Sequence, residues 1–287
     1  MIWRLYQVIF RLRSSLHIGC GKVGNLQRTR PYITGRVLWG ALTMRLTRDQ
    51  ASGRGPAIDS RDYLHVGQQV HQSLAFTYFY PATKSGDGYR VAWFWQDDAN
   101  FRQLFLSSYS GTALSYPYQS ASTGTLHEVE FISPTTLDNG EPVFLLGYIF
   151  ERDDNKLAWQ DACKRMQVGG ERGYGWGAIE LVETCESKDG QLFDGKAVFS
   201  GGGDLPVIRL SASEQTPGRL LAHTLAMNLP ATGEVEPLVG REWRSHAPRH
   251  RYAGQYVAFN DVCFTPGSTV SKEFDFSVGA FGVWRMV

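Results

Sequence analysis

The segment from residue 169 to residue 177 contains five glycines in nine positions and reads Gly-Gly-Glu-Arg-Gly-Tyr-Gly-Trp-Gly. Glycine adopts positive φ easily and has no Cβ, so the segment is unsuited to the interior of a helix or strand. It follows an amphipathic helical pattern over 157–168 and precedes an alternating pattern over 178–183. We therefore predict a loop between a helix and a strand, and two interpretations stay open. The loop is either a tight turn or a binding loop.

The residues between these glycines suit a ligand with phosphates and bases. Arg172 is a planar, permanently charged group that pairs well with phosphate, and Tyr174 and Trp176 offer faces on which bases can stack. The segment is not a P-loop, because no Gly-Lys-Ser/Thr follows, and it is not a dinucleotide fingerprint, because it opens a strand. The candidate binding residues in this loop are Gly169, Gly170, Arg172, Gly173, Tyr174, Gly175, Trp176 and Gly177.

A second basic segment lies near the start of the chain, between residues 14 and 36. It carries Lys22, Arg28, Arg30 and Arg36 among glycines and ahead of a predicted helix. A helix start offers free N–H groups and a positive dipole end, which together favour phosphate. A solvated basic loop is the alternative, and the spacing does not separate the two.

The order of the remaining patterns predicts an α+β fold. Strand, helix, two strands, helix, glycine loop and strand follow one another in the βαββαβ order of ferredoxin-like domains. Residues 51–73 read as a loop with one short helix, 98–106 as a helix, and 107–126 as a long exposed excursion. The predicted core elements are strands at 2–12, 75–80, 89–95, 127–132, 143–150 and 178–183, and helices at 37–46 and 157–168.

We predict two domains. Residues 1–186 form a ferredoxin-like, RRM-like domain with insertions and the glycine-rich loop. Glycines concentrate between 187 and 203, where we place the boundary. Residues 204–287 are predicted to form a smaller, irregular α+β domain with short strands and a helix around 217–227.

Composition excludes several classes of protein. A formal net charge of +1 disfavours a freestanding nucleic-acid binder but permits a subunit whose acidic surfaces face protein neighbours. The four cysteines are widely spaced, so they indicate neither a zinc site nor a disulfide framework. No apolar run is long enough to cross a membrane. We expect a cytoplasmic protein without a membrane partner, metal or cofactor.

No sequence motif for catalysis is found. The chain has neither an HExxH motif nor a Ser/His/Asp elbow, and the Asp97-Asp98 and Asp153-Asp154 pairs lie in turn-like contexts. His17 lies between Leu16 and Ile18, where a packed, hydrogen-bonded histidine is favoured over a general base. The histidines considered as ribonuclease bases are His17, His65, His71, His127, His223, His246 and His250. We expect no enzyme activity.

Three blocks of this sequence together resemble the RAMP (repeat-associated mysterious protein) superfamily of CRISPR-associated proteins. The first is Ser14–Gly19 followed by Pro31–Leu42, similar to the family's first strand, glycine loop and helix start. The second is Gly124–Ile132 followed by Phe144–Ile149, similar to its middle hairpin. The third is the 169–177 loop, similar to its glycine-rich loop. The blocks fall in the family's order and cover about residues 1–185.

The resemblance implies RNA binding within a type III CRISPR effector complex. The 19–30 loop contains no Asp, whereas the backbone subunits of this superfamily that cut target RNA carry one in the similar loop. Residues 264–270 look like the degenerate second half of capping subunits. The implied role is that of a non-catalytic subunit that holds the 5′ handle of the crRNA. The implied subtype is type III-D-like, and His17 is among the residues implied to contact the RNA. The implied partners are the crRNA, the large subunit, the first backbone subunit and, indirectly, target RNA. A crRNA-processing endoribonuclease using His17 and a backbone subunit are the alternatives.

Overall fold

The computed structural model describes residues 2–52, 57, 59–116, 118–242 and 256–287. The first 186 residues form β1 (Trp3–Leu12), β2 (Gly19–Val23), β3 (Leu26–Thr29), α1 (Gly35–Gln50), α2 (Ser60–Ser73), β4 (Leu74–Phe76), β5 (Tyr80–Ser85), β6 (Gly88–Val91), α3 (Asp98–Phe105), β7 (Leu106–Gly111), β8 (Leu114–Ser115), β9 (Ser120–Ala121), β10 (His127–Ile132), β11 (Phe144–Arg152), α4 (Trp159–Cys163) and β12 (Ile179–Glu186). Short 3-10 turns lie at Arg172–Tyr174 and Ala280–Gly282.

Strands make up most of the remainder of the described chain. In order, they are β13 (Gln191–Leu192), β14 (Ala197–Gly202), β15 (Pro206–Leu210), β16 (Gly218–Arg219), β17 (Thr224–Leu225), β18 (Ala231–Thr232), β19 (Val235–Glu242), β20 (Tyr256–Phe264), β21 (Thr269–Val270), β22 (Phe274–Val278) and β23 (Trp284–Met286).

The central sheet has the strand order β12-β1-β11-β5-β6, with β4 also pairing β11. Its pairs β1–β11, β1–β12 and β11–β5 are all antiparallel. With α1 between β1 and β4/β5, and α4 between β11 and β12, this is the ferredoxin-like βαββαβ arrangement. The predicted α+β, ferredoxin-like fold is confirmed.

Strand β1 shows why this sheet lies at the centre of the molecule. Its side chains alternate between two buried clusters, with Val8 and Phe10 in one and Leu5 and Ile9 in the other. Successive side chains of a strand point to opposite faces, so both faces of β1 are buried. Burial on both sides explains why this segment is apolar almost throughout.

One face of the central sheet is covered by helices and the other by a second sheet. The second sheet has the order β13-β14-β15-β22-β23-β17-β20-β19. Phe193 lies against Tyr148 with ring centroids 4.9 Å apart, and the Tyr80 hydroxyl donates to the Leu221 carbonyl at 2.7 Å. An RRM binds bases on an open sheet face. Here the corresponding face is occupied by protein, although the strand order is the ferredoxin-like one.

A smaller sheet lies beside the central one, with the order β2-β3-β10-β7. Strands β2 and β3 form a hairpin from the predicted basic loop, and β3 runs parallel to β10. Strand β7 pairs antiparallel with β10 over six residues. The 107–126 segment was predicted to be an exposed excursion, and its first residues are instead a paired strand.

Two helix predictions are corrected. Residues 60–73 form the fourteen-residue helix α2, where a loop with one short helix was predicted. Its Asp59 carboxylate accepts the Arg61 N–H at the N-terminus, and only Val66, Gly67 and Val70 are buried. Such a narrow apolar stripe gives a weak helical pattern.

The segment 217–227 was predicted to be a helix and contains β16 and β17 instead. Leu220, Leu221, Ala222 and His223 are all at most 1% exposed. Four consecutive buried residues do not fit a helix with one solvated face. The predicted helix at 157–168 is also shorter than expected, since only Trp159–Cys163 is helical.

The proposed division into domains at 1–186 and 204–287 stays a prediction. Strands β13 and β14 occupy the stretch assigned to the boundary, and they pair into the second sheet. In the part of the chain that is described, no helix is long and apolar enough to cross a bilayer.

Candidate nucleic-acid interface

The glycine-rich loop is anchored to the segment that follows β1. Gly170 N–H donates to the His17 carbonyl at 2.8 Å, and Gly177 N–H donates to the Ser15 carbonyl at 2.7 Å. The loop is closed by Val168 N–H, which donates to the Gly177 carbonyl at 2.8 Å. Its two ends are therefore fixed, and residues 171–176 project between them.

Four of the five glycines fall into two groups. Gly169 and Gly177 have φ of +81° and +78°, and a Cβ would lie 2.5 Å from the His17 carbonyl oxygen at Gly169 and 1.8 Å from the Val168 carbonyl oxygen at Gly177. These two are required by the turn. Around Gly173 and Gly175 the space is open, and Gly173 does not have positive φ. The turn interpretation therefore holds at the ends of the loop, and its middle stays accessible.

The middle of the loop presents its polar side chains to solvent. Arg172 is exposed and Tyr174 is 80% exposed. The Arg172 Nη1 lies 3.1 Å from the Met44 sulfur, a weak acceptor, and pairs with no carboxylate among the described residues. Gln167 Nε2 donates to the Trp176 carbonyl at 2.7 Å and so holds the backbone behind the tip.

Trp176 connects the loop to the smaller sheet. Its ring packs edge-on against Phe131 at 5.0 Å and faces Tyr109 at 6.4 Å. The pairing registers Val129↔Tyr109, Val129↔Gln27 and Lys22↔Gln27 place these side chains on one face of the sheet. That face therefore includes Lys22, which is exposed. We call the set Lys22, Tyr109, Phe131, Arg172, Tyr174 and Trp176 the loop–hairpin surface.

Arg28 lies on the opposite face of the same hairpin. Its register partner is Gly21, one position away from the Lys22↔Gln27 pair, so its side chain points away from Tyr109. Neither Lys22 nor Arg28 forms an ion pair with any residue that the structure describes. The two predicted contacts are thus both available but face different directions.

His17 is enclosed beneath the surface rather than presented to a ligand. It is 6% exposed, and its Nδ1 is 2.7 Å from the Glu130 carbonyl oxygen, to which it donates. A Cβ on Gly19 or Gly170 would come within 3.2 Å of its ring. The structure therefore places His17 in a buried, hydrogen-bonded position, and its contact with RNA stays a prediction.

Arg30 is engaged in an ion pair with the second sheet. Its Nη1 and Nη2 donate to the two Glu236 carboxylate oxygens at 2.7 and 3.1 Å, and Nη1 also donates to the Tyr32 hydroxyl at 3.2 Å. Burial alone would raise the pKa of Glu236, but hydrogen bonds from His223 and Arg30 outweigh it and lower that pKa to about 2. Arg30 thus makes internal contacts in the structure, and its predicted phosphate contact stays a prediction.

His223 completes this network. It is fully buried, and burial lowers its pKa although Glu236 opposes the shift. The neutral ring donates from Nε2 to Glu236, and its Nδ1 accepts from the Tyr78 hydroxyl at 2.7 Å. We call Arg30, Tyr32, Tyr78, His223 and Glu236 the buried ion-pair network.

The start of α1 is covered rather than open. The Arg36 guanidinium lies 4.7 Å from the centre of the Phe281 ring, and a Cβ on Gly35 would meet the Phe281 carbonyl oxygen at 2.5 Å. A Cβ on Gly240 would also fall 2.2 Å from the guanidinium carbon of Arg36. The backbone and ring of Phe281 therefore lie against this helix start, and its phosphate site stays a prediction.

Of the other histidines, those that the structure describes form no acid–base pair with the loop–hairpin surface. His127 Nδ1 lies 3.1 Å from the Thr125 carbonyl oxygen, and burial lowers the pKa of His71. His246 and His250 lie outside the described residues. Within the described ranges, no group of three or more His, Cys, Asp or Glu side chains is arranged to hold a metal ion.

Sequence reasoning missed Tyr109 and Phe131 as site residues. Tyr109 is in the stretch interpreted as an unpatterned excursion, and Phe131 was taken only as part of a strand. The available signal was weak, since Leu106 to Gly111 contains three serines and one large apolar residue besides Tyr109. Only the pairing of β7 with β10 brings the two rings to Trp176.

No protein-family model and no curated protein sequence matches the chain. Among solved structures, a chain of the type III-B Cmr-beta complex bound to cognate target RNA and AMPPnP is similar with a TM-score of 0.48 and 11% identity, over 92% of this chain and 85% of that one. A chain of Cmr-beta with cognate target RNA gives 0.38 and 11%, over 62% and 96% of the two chains. One of the apo state gives 0.37 and 10%, over 65% and 98%.

Proposed function

We propose that this chain is a non-catalytic RNA-binding subunit of a type III CRISPR effector complex, a cytoplasmic ribonucleoprotein, in which it holds the 5′ handle of the crRNA. The observation that carries the proposal is the loop–hairpin surface. Three segments far apart in sequence, at 19–30, 106–132 and 169–177, meet there. Trp176 contacts Phe131 and Tyr109, β7 pairs with β10, and β10 also pairs with β3.

The chemistry of this surface matches single-stranded RNA. Arg172 and Lys22 are exposed cations without carboxylate partners in the described chain, and Tyr174 and Tyr109 are 80% and 64% exposed. Cations neutralise phosphates, while exposed aromatic rings stack with unpaired bases whatever their identity. Because the second sheet covers the face that an RRM uses, RNA reaches the chain at this surface.

The buried state of His17 supports a non-catalytic role. A general base must come within hydrogen-bonding distance of the proton that it removes. The His17 Nδ1 donates to the Glu130 carbonyl, and the side chain is only 6% exposed. This arrangement disfavours the processing-endoribonuclease alternative.

An exposed apolar stripe on the β19–β20 hairpin supports assembly with protein subunits. Val235, Val239, Val257 and Val262 are 45–63% exposed. Exposed apolar groups that lie together favour protein contacts. We propose that the large subunit and the first backbone subunit are the neighbours of this chain, with type III-D as the subtype.

RNA titration of single-residue variants tests the proposal. We expect Arg172→Ala to weaken the binding of repeat-handle RNA by about 1.5–3 kcal/mol without changing the melting temperature. Lys22→Ala should lower the slope of log K against log salt by roughly 0.7, the value for one phosphate contact on a single strand. Lys188→Ala, an exposed lysine on another part of the molecule, is the matched control.

Wild-type affinity for both Arg172→Ala and Lys22→Ala, in folded proteins, would remove the loop–hairpin surface from the proposal. Cleavage of repeat RNA by the purified chain would instead favour the endoribonuclease. Purification with the products of neighbouring genes, followed by sequencing of the bound RNA, tests the assignment to a CRISPR complex.

A further inference from the structure

An arginine cluster lies on the helical side of the molecule, next to the glycine-rich loop. The Asp49 carboxylate on α1 accepts from Arg45 Nη2 at 2.6 Å, and it also accepts from Arg165 Nη1 and Nη2 at 3.2 and 2.9 Å. Arg165 follows α4 in the chain, so the carboxylate joins α1 to the segment after α4. Arg48 is exposed on the same stretch of α1 and forms no ion pair with a described residue.

This cluster contains more hydrogen-bond donors than acceptors. Each guanidinium has five N–H groups, whereas a carboxylate has two oxygens. The Arg45 Nε is shielded from solvent and has no hydrogen-bond partner, and the Arg165 side chain is 57% exposed. Asp49 therefore orients two guanidinium groups without neutralising both, so the pair keeps an excess positive charge.

The cluster continues the charge of the glycine-rich loop. Arg172 lies against Met44, and Arg48 is one helical turn further along α1, about 6 Å away at 1.5 Å per residue. Residues four apart on a helix share a face, so Met44 and Arg48 align. The cluster and the loop together contain two carboxylates, Asp49 and Glu171. They contain four arginines, at positions 45, 48, 165 and 172, so positive charge is in excess.

A purely structural role for the cluster predicts something different. An ion pair that only joins α1 to α4 needs one arginine for one carboxylate. It would also gain nothing from leaving Arg48 and Arg172 unpaired at its border. Exposed ion pairs contribute little to stability, and the second arginine adds repulsion that a bound anion would relieve.

We infer that Arg45, Arg48 and Arg165, held by Asp49, form a second phosphodiester-binding site that extends the RNA path from Arg172 along α1. The inference rests on the proposed RNA-binding function and names a site beyond the loop–hairpin surface. The ligand is the sugar–phosphate backbone of a single strand, bound without regard to base identity. In this site Asp49 is a positioning residue that also limits the affinity.

Opposite charge changes at one ion pair test this site. The probe is a single-stranded RNA long enough to cover both surfaces, titrated between 0.1 and 1 M salt. Arg165→Gln removes one positive charge, so we expect about fivefold weaker binding at 0.1 M salt and a slope lower by about 0.7. Asp49→Asn removes the negative charge, so we expect about fivefold tighter binding and a steeper slope.

The Arg209–Asp275 pair is the matched control. Its guanidinium is 54% exposed and also contacts both carboxylate oxygens, at 2.8 and 3.0 Å, but it lies on β15 and β22. Arg209→Gln and Asp275→Asn should leave the affinity unchanged. A purely structural pair would give lower melting temperatures for Arg165→Gln and Asp49→Asn and wild-type RNA binding for both.

The two levels of proposal fail in different ways. If the wild-type chain binds the RNA and Arg172→Ala weakens binding, unchanged affinity in Arg165→Gln and Asp49→Asn overturns only the second site. If the wild-type chain does not bind RNA at all, the proposed function fails with it. Should Asp49→Asn not fold, Arg48→Ala is the substitute, since Arg48 is exposed, and wild-type affinity in that variant overturns the site.

Discussion

Replacing Glu236 by Gln tests the buried ion-pair network that joins the central sheet to the second sheet. The carboxylate accepts both Arg30 N–H groups and the His223 ring, and its side chain is 29% exposed. Glutamine has nearly the same shape and keeps one acceptor oxygen, so packing is retained while the charge is lost. The Arg30 guanidinium, at 17% exposure, would keep its charge without a counter-ion.

The expected magnitude follows from the pKa of Glu236. A fall from the usual 4.5 to about 2 corresponds to about 3 kcal/mol of stabilisation when the group is ionised. Partial exposure of the carboxylate reduces this to about 2–3 kcal/mol. Breaking one partner of a buried pair commonly costs about 3–5 kcal/mol, so the value lies at the lower end of that range.

The pH dependence gives the sharper measurement. The pKa of Glu236 is lower in the folded chain, so its contribution is complete above about pH 4.5 and is lost as pH falls towards 2. Urea unfolding followed by tryptophan fluorescence should show a difference of about 2–3 kcal/mol between wild type and Glu236→Gln at pH 7. The difference should fall to about two fifths of its pH 7 value at pH 3, and the two curves should converge only at about pH 2 and below.

Asp275→Asn, which breaks the exposed Arg209–Asp275 pair, is the control and should cause a much smaller change. The reasoning is refuted if Glu236→Gln unfolds with wild-type stability at pH 7, or if the difference is the same at pH 7 and pH 3. Arg30→Met should behave like Glu236→Gln. A loss of RNA affinity with no loss of stability would restore Arg30 as a phosphate contact.

Two further predictions concern the glycine-rich loop and the residue beneath it. Gly177→Ala should lower the free energy of unfolding by at least about 2 kcal/mol, because Gly177 has positive φ and an added Cβ would clash with the Val168 carbonyl. Gly173→Ala should melt like the wild type, since the space around Gly173 is open. Equal melting temperatures for the two variants would contradict the division of the glycines. His17→Ala should destabilise the chain by about 1–3 kcal/mol, because the hydrogen bond to the Glu130 carbonyl is lost. This structural role would be contradicted by a nuclease assay in which the wild type cleaves RNA and His17→Ala does not.

Elements with a regular apolar pattern were predictable from the sequence. Strand β1 and helix α1 are both found within a few residues of their predicted bounds, because their buried faces repeat with the period of a strand or helix. The order of the elements then led to the ferredoxin-like sheet. Helix α2 was missed because only Val66, Gly67 and Val70 of its residues are buried, which leaves little pattern to detect.

The site was less predictable, because charge in a sequence does not show where a side chain points. Arg30 and Lys22 belong to the same basic segment, yet Arg30 meets a carboxylate 206 positions away while Lys22 stays exposed. The Gly169–Gly177 loop was located correctly, but its glycines looked alike. Which of them a Cβ would disturb depends on the distance to His17 and Val168, and such distances arise only in the folded chain.

The cover over the central sheet has a consequence for how the chain is made. Trp3 and Leu5 share an apolar cluster with Phe276 and Trp284, so the earliest strand shares its buried surroundings with some of the latest. A ribosome adds about 5–20 residues per second. The first strand therefore waits, with one side exposed to water, for more than ten seconds at typical rates. During that interval the aromatic face of the central sheet is not yet covered in the nascent chain, so we expect a chaperone to protect it. We also expect the rate of translation through residues 187–284 to influence the yield of folded protein.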